Sequence, residues 1–594
     1  MLKKIYFIFT LFCFMNTAII AQNIAPSIQE KMVLAQSTDQ IACFIKLKTQ
    51  ANLQAANTLK TKKEKGAYVF QTLKSIAEKT QAPILSYLQT QGIKYQSFYI
   101  ANAIYIEATK SQIEFLASWH IIDAIVANSN FISPNTLTQE NILKAQTLAL
   151  QNTNANTWGL DTIKAPNLWQ LGFQGQGVVI GGQDTGYEYL HPSIRQQYRG
   201  YNNGNYTHDY NWHDAIHAAH PFNADNNNPC GFDALAPCDD NTHGTHTMGT
   251  MVGNESPISN LKIGVAPQAQ WIGCRNMERG WGTAQTYIEC FEWFLAPTNL
   301  NNQAPNTDLA PHIIANSWGC PPIEGCDSTS IALMNIVVDN LVQAGIFVVV
   351  SAGNDGPDCN TIMHPATIYN SSFVVGASNE NDAIAEFSSR GLVQVLDHVE
   401  MKPNVVAPGV NILSSIYGNW EASYQGTSMA GPHVAGAAAL LISAKPSLAG
   451  QTDSLKLLLQ NTAKPIYSIQ SCNGISGNAH PNPIAGHGRI DVLAAYQAIN
   501  FDDEIAVQNA LSPTKLNLYP NPAQNNITIA LPENLIHFHL SITNTLGQKI
   551  YTQHLENQST LYTLNIENLA HGFYTIQLID PNNNHYYQGK FIKG

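Results

Sequence analysis

The chain has 594 residues, more than one typical domain holds, so two to four domains are expected. Its hydrophobic fraction of 44% is ordinary for a globular protein. Its formal net charge of -12 argues against a nucleic-acid partner.

The first feature along the chain reads as an export signal. Lys3 and Lys4 make a positive start, Ile5 to Phe14 is a short apolar run, and Ala18 and Ala21 are small residues suited to cleavage. Residues 1–21 are therefore expected to be removed, with the cut near Ala21. Cys13 has no small residue before it, which argues against a lipoprotein. The apolar run is too short to span a bilayer, and no other stretch is long and apolar enough to do so.

Residues 22–150 read as a small α/β unit. The pattern predicts a strand over Ile41–Leu47 and a helix over Ala67–Gln91 that Pro83 breaks late. A strand over Tyr99–Glu107, a helix over Ser111–Trp119 and a strand over Ile121–Val126 follow. This β-α-β-α-β order points to a ferredoxin-like α+β sandwich. Pro134 to Asn156 is polar and reads as an exposed linker.

Residues 157–500 carry short continuous apolar runs at Val178–Ile180, Trp271–Gly273, Ile313–Ala315, Ile346–Val350 and Phe373–Val375. Helical stretches such as Ser330–Ala344 lie between some of them. Such runs predict an α/β fold with a mostly parallel sheet covered by helices. Asp502–Ser512 reads as a second linker. Residues 513–594 alternate apolar and polar positions between turn signals, the pattern of a β-sandwich. Residues 23–150 hold 12 Lys and Arg against 8 Asp and Glu, a net of +4; residues 151–500 hold 12 against 27, a net of -15. Opposite signs suit two units that dock, and equally a drift in composition.

After the signal nine cysteines remain. Cys230/Cys238 and Cys320/Cys326 are close pairs in loop-like sequence and read as disulfides in an exported chain. Their spacing also admits metal binding, but no histidine cluster accompanies either pair.

Acyl transfer through a serine needs a base beside the hydroxyl, a group that orients the base, and donors for the oxyanion. The large unit offers each. Asp184, in Gly181-Gly182-Gln183-Asp184-Thr185-Gly186, follows an apolar strand, where the site of an open α/β sheet forms. His243, in Thr242-His243-Gly244-Thr245-His246, is followed by small residues suited to a tightly packed helix start. The pair His243 and His246 could also hold a metal, but no carboxylate accompanies it on the helix, so His246 reads as a packed residue. Ser428, in Gly426-Thr427-Ser428-Met429-Ala430-Gly431-Pro432-His433, precedes the small, apolar run Val434–Ile442. A serine at that helix start gains from the helix dipole, and its own N–H can serve the oxyanion. Asn354, in Ala352-Gly353-Asn354-Asp355-Gly356, follows a strand and has an amide to donate.

These four segments, in this order, resemble the subtilase family of serine proteases, over roughly residues 158–500. The resemblance implies Asp184 as orienting acid, His243 as general base, Ser428 as nucleophile and Asn354 in the oxyanion hole. It further implies Ser317, Trp318 and Gly319 as one wall of the primary specificity pocket, and Ala352 and Gly353 as the other. Asp355 beside Asn354 suggests a bias of that pocket toward basic side chains. Tyr198-Arg199-Gly200-Tyr201, Ile263-Gly264-Val265-Ala266-Pro267 and Asn316-Ser317-Trp318-Gly319 are similar to a bacillopeptidase F-like subgroup.

By the same resemblance, residues 22–150 look like a subtilase propeptide, a folding assistant and intramolecular inhibitor cut off between Ala127 and Thr157. Residues 513–594 are similar to the sorting domain of type IX secretion substrates, in Leu518-Tyr519-Pro520-Asn521-Pro522 and Gly572-Phe573-Tyr574. The implied product is an endopeptidase acting on protein or peptide substrates. It is secreted from, or held on the surface of, a Gram-negative bacterium by the type IX machinery. The chemistry requires no cofactor. Asp225–Asn228 and Asp233–Asn241 gather oxygen donors that suit structural calcium, or ordinary turns, and no metal residue is assigned. The rival reading is an inactive surface adhesin that keeps the protease fold.

Overall fold

The computed structural model describes residues 23–132, 156–223, 227–255, 260–317, 326–395, 398–499, 514–531, 537–544, 549–556, 560–580 and 585–594. The expected signal, nearly all of the first linker and the whole of the second lie outside the described residues. Those described fall into two compact units, divided between Ile499 and Asn500.

The first unit begins with α1 (Pro26–Leu34), β1 (Ile41–Leu47), α2 (Lys62–Thr90), β2 (Lys94–Phe98), β3 (Ala103–Ala108), α3 (Lys110–Ala117) and β4 (Ile122–Ala127). Its antiparallel sheet runs β2-β3-β1-β4, the ferredoxin-like order. Two local expectations are corrected. Tyr99–Glu107 is not one strand: β2 and β3 form a hairpin, and Tyr99–Asn102 make its turn. That turn is apolar because Ile100 and Ala101 are fully buried against the following structure, which disguised it as strand. Pro83 does not interrupt α2. Both Pro83 and Lys79, whose carbonyl loses its partner, lie on the solvent face, where water can replace the missing bond.

Alternation along β1 sorts its side chains to two cores. Cys43, Ile45 and Leu47 pack with Ile84, Leu88 and Leu116, whereas Phe44 faces the other way. Phe44, Phe98 and Val126 share a core with α5 (Ala284–Leu295) and α6 (Ser328–Gln343) of the large sheet region. A short strand β5 (Asn130–Ile132) then pairs antiparallel with β9 (Trp281–Thr283), placing Phe131 opposite Gly282.

The large sheet uses β6 (Val179–Asp184), β7 (Trp212–Asp214), β8 (Gln270–Arg275), β10 (Ile313–Asn316), β11 (Phe347–Ser351), β12 (Phe373–Ser378) and β13 (Val405–Pro408). Its order is β13-β12-β11-β10-β6-β8-β7, and every pairing is parallel. Both faces are covered, which explains the unbroken apolar runs. In β11, Val348 and Val350 join the core under α5 and α6, and Phe347 and Val349 join the opposite one. That second core is closed by α4 (His243–Val252) and α7 (Thr427–Ala444).

The second unit has a five-stranded sheet, containing His537–Asn544, Gly572–Asp580 and His585–Lys593, and a three-stranded one, containing Asn526–Ala530. Ile527 and Ile529 of the smaller sheet share one core with Leu540, Ile542, Ile576 and Leu578 of the larger. This is the β-sandwich that the alternation predicts.

Candidate active site

Asp184 and His243 meet at the carboxyl end of β6, and Ser428 lies on a helix packed against the one that His243 begins. Asp184 is the last residue of β6 and is 2% exposed. Its Oδ1 accepts the Thr185 N–H at 2.7 Å. His243, the first residue of α4, lies with Nδ1 2.7 and 2.9 Å from the two carboxylate oxygens. A carboxylate only accepts, so Nδ1 carries the proton and Nε2 is left as the basic nitrogen. Burial pulls the His243 pKa down, but the Asp184 charge and hydrogen bond, with the Asp239 charge, offset this and hold it above its ordinary value.

Local sequence explains how α4 can start so close to Asp184. A side chain at Gly244 would run into the Gly186 carbonyl oxygen, so only glycine fits. Thr242 before the helix adopts φ 84°. Its N–H is held by Asp239 at 2.9 Å and its hydroxyl by Tyr424 at 2.9 Å.

Ser428 is the second residue of α7 and fully buried. Helices α4 and α7 pack against each other. Ser428 Oγ and His243 Nε2 are both buried, and neither has a hydrogen-bond partner among the described residues. Asn354, just past β11, accepts the Thr427 N–H and hydroxyl on Oδ1, each at 2.9 Å. That fixes the amide and leaves Nδ2 as the donor. Thr427 Oγ1 accepts the Gly353 N–H at 3.1 Å, and Ser351 Oγ donates to the Thr427 carbonyl at 2.9 Å. Thr427 was not singled out from sequence; its signal is a hydroxyl residue directly before the serine at a helix start.

Of the expected pocket walls, Ser317 has its hydroxyl 3.1 Å from that of Ser351. Ala352 is fully buried, and Gly353 needs its lack of a side chain at φ 104°. Trp318 and Gly319 lie outside the described residues. Asp355 turns its carboxylate to His364 Nε2 at 2.8 Å rather than standing free for a basic side chain.

His246 stacks on Tyr424 with ring centroids 4.2 Å apart, and its Nε2–H donates to the Ile412 and Ala422 carbonyls. Burial pushes its pKa down to about 3, so it stays neutral. Among the described residues no group of three or more His, Cys, Asp or Glu is arranged to hold a metal. Asp233, Asp239 and Asp240 of the acidic loop are engaged by His217, Thr245 and Arg275. Cys230–Cys238 is a disulfide, as its spacing suggests. Cys326 is also disulfide-bonded, and Cys320 lies outside the described residues. Cys274–Cys290 and Cys359–Cys472, unread from sequence, are two more.

Comparison with known proteins agrees with this geometry. Residues 517–593 match the secretion system C-terminal sorting domain. The chain is 34% identical over 465 residues to bacillopeptidase F of Bacillus subtilis (strain 168), covering 76% of this chain and 30% of that one. It is 31% identical over 293 residues to subtilisin E of the same strain, 49% of this chain and 62% of that one. The same identity and length hold for the subtilisin of Bacillus pumilus, of which 86% is covered. The chain thus spans less than two thirds of the first two relatives. With the subtilase family model matched over residues 175–488, the parallel seven-stranded sheet and the buried Asp184–His243 pair at its carboxyl edge have a plain explanation: this chain belongs to the subtilase family.

Proposed function

We propose that the chain is a secreted serine endopeptidase that cleaves peptide bonds through an acyl-enzyme on Ser428. The observation that carries this reading is the buried Asp184–His243 pair, whose Nε2 is unpartnered on a helix packed against the one bearing an unpartnered Ser428 hydroxyl. His243 Nε2 takes the Ser428 proton as Oγ attacks the scissile carbonyl. Asp184 holds the Nδ1 tautomer and stabilises the imidazolium. The Ser428 N–H and Asn354 Nδ2 receive the oxyanion. His243 then protonates the leaving amine, and water repeats the sequence on the acyl group.

Residues 22–150 act as the propeptide, an inhibitor of their own enzyme. Strand β5 lies on the free edge of β9, where an extended substrate would add as a strand. Lys62 Nζ donates to the Ala310 carbonyl and Lys63 pairs with Asp308, in keeping with the opposite net charges. Ser317, Ala352 and Gly353 contribute to the primary pocket. The signal at residues 1–21 and the sorting unit at 513–594 direct type IX export from a Gram-negative cell.

The test is covalent labelling of the secreted protein with a fluorophosphonate, with Ser428→Ala as control. Labelling at Ser428, with casein hydrolysis lost in the variant, is expected. A processed chain that never labels, or a variant that keeps its activity, overturns the reading in favour of an inactive surface protein.

A further inference from the structure

The loop before α4 carries a buried carboxylate outside the proposed mechanism. Asp239 is 2% exposed and receives five hydrogen bonds. On Oδ1 it accepts the Thr185 hydroxyl at 2.9 Å, the Asn241 N–H at 3.0 Å and the Thr242 N–H at 2.9 Å. On Oδ2 it accepts the Thr245 N–H at 2.9 Å and hydroxyl at 2.6 Å. The donors belong to two segments. Thr185 follows Asp184 directly, whereas Asn241, Thr242 and Thr245 flank His243. The Thr185 hydroxyl also accepts the Gly244 N–H at 3.0 Å, and the Thr245 hydroxyl accepts the Glu188 N–H at 2.9 Å. Gly186 forms a β-bridge with Asp239 itself.

We infer that Asp239 is a positioning residue that locks the turn after Asp184 to the first turn of α4, setting the register in which His243 meets Asp184. The inference rests on the proposed Asp184–His243–Ser428 chemistry. Three features support it. The Thr242 φ of 84° is unfavourable for threonine and needs an external tie, which the Asp239 carboxylate supplies. A single carboxylate with all its main acceptor sites filled leaves little room for the two segments to slide. The charge also acts directly on the imidazole, since Asp239 and Asp184 both favour the protonated form of His243. The other ionisable groups near this carboxylate are Tyr187, Glu188, Asp240 and Tyr424, and Arg275 is turned to Asp240 and Asp214. His246, on the same helix, stays neutral and adds no charge beside His243. Burial raises the Asp239 pKa, the hydrogen bonds from Thr245, Asn241 and Thr242 oppose this, and the ionised carboxylate is a second negative charge beside the imidazolium.

The test is Asp239→Asn in the full chain, purified as the secreted enzyme. Readouts are kcat and KM on a chromogenic peptide, the pH profile of kcat/KM and the rate of fluorophosphonate labelling. An amide turns an NH2 group, which only donates, toward the two Thr245 donors and carries no charge. Expected are a fall in kcat of tenfold or more, KM within threefold, and an acid limb displaced to lower pH. A residue with a merely structural role would leave the acid limb where it is. A folded variant with kcat within twofold of the parent and an unmoved acid limb overturns the inference. If Asp239→Asn does not fold, Thr245→Val decides, since it keeps the charge and removes one donor. At least a threefold fall in kcat with an unmoved acid limb is then expected, and unchanged kcat overturns the inference. Failure of the parent to label at Ser428 sinks the underlying chemistry instead, so the two failures are distinguishable.

Discussion

Phe131 offers a sharp test of whether residues 22–150, the proposed propeptide, hold the proposed enzyme. It stands in β5, beyond the last strand of the propeptide sheet, is 1% exposed, and lies opposite Gly282 on the edge of β9. Its ring packs 4.7 Å from that of Tyr287. When β5 leaves β9 this side chain loses that cover, so Phe131→Ala subtracts from docking rather than from the propeptide's own core. Truncating a buried phenylalanine costs about 3–5 kcal/mol. The backbone pairing of β5 with β9 does not need the ring, so the lower figure applies. About 3 kcal/mol is roughly a hundredfold in dissociation constant. The assay is inhibition of the mature enzyme by added propeptide, wild type against F131A, on a chromogenic peptide. A rise in the inhibition constant near a hundredfold is expected. A rise below fivefold would refute the assignment of β5 to the docked edge.

Asn354→Ala removes the proposed side-chain oxyanion donor. Such removals cost about 3 kcal/mol, a figure that comes from a subtilisin and is carried over here. It should appear in kcat with KM nearly unchanged, and a loss confined to KM would contradict the role. Because neutral His243 is the proposed base and its pKa is held above the ordinary value of about 6.5, kcat/KM should fall with acidification through a point above 6.5. An acid limb at or below that point would contradict the proposed electrostatics. The Cys359–Cys472 disulfide closes a loop of sequence separation 113. Replacing both cysteines with serine should lower stability by about 2–5 kcal/mol, and an unchanged guanidinium midpoint would refute this.

The proposed site is legible because each candidate residue sits in a short run whose small neighbours are local steric necessities, as Gly244 against Gly186 illustrates. The parallel sheet was readable because strands buried on both faces leave continuous apolar runs. What escaped depends on partners distant in sequence. Strand β2 is largely polar and exposed, and the turn beside it is apolar only because it docks elsewhere. Cys230 and Cys238 are eight residues apart and could be paired from spacing, whereas Cys359 finds Cys472 only in the fold. Asp239, four positions before His243, resembled any loop aspartate until its five donors could be seen.

Helix α7 has a consequence for the cell that makes this protein. Every residue from Thr427 to Ile442 is buried, and the helix packs against β10, β11, β12 and β13 as well as α4. The serine therefore has no environment of its own: its surroundings exist only once the sheet has closed around it. On the proposed chemistry, a nascent or translocating chain carries the Ser428 hydroxyl as an inert side chain. On that chemistry, the onset of reactivity is written into assembly order, ahead of the restraint proposed for residues 22–150.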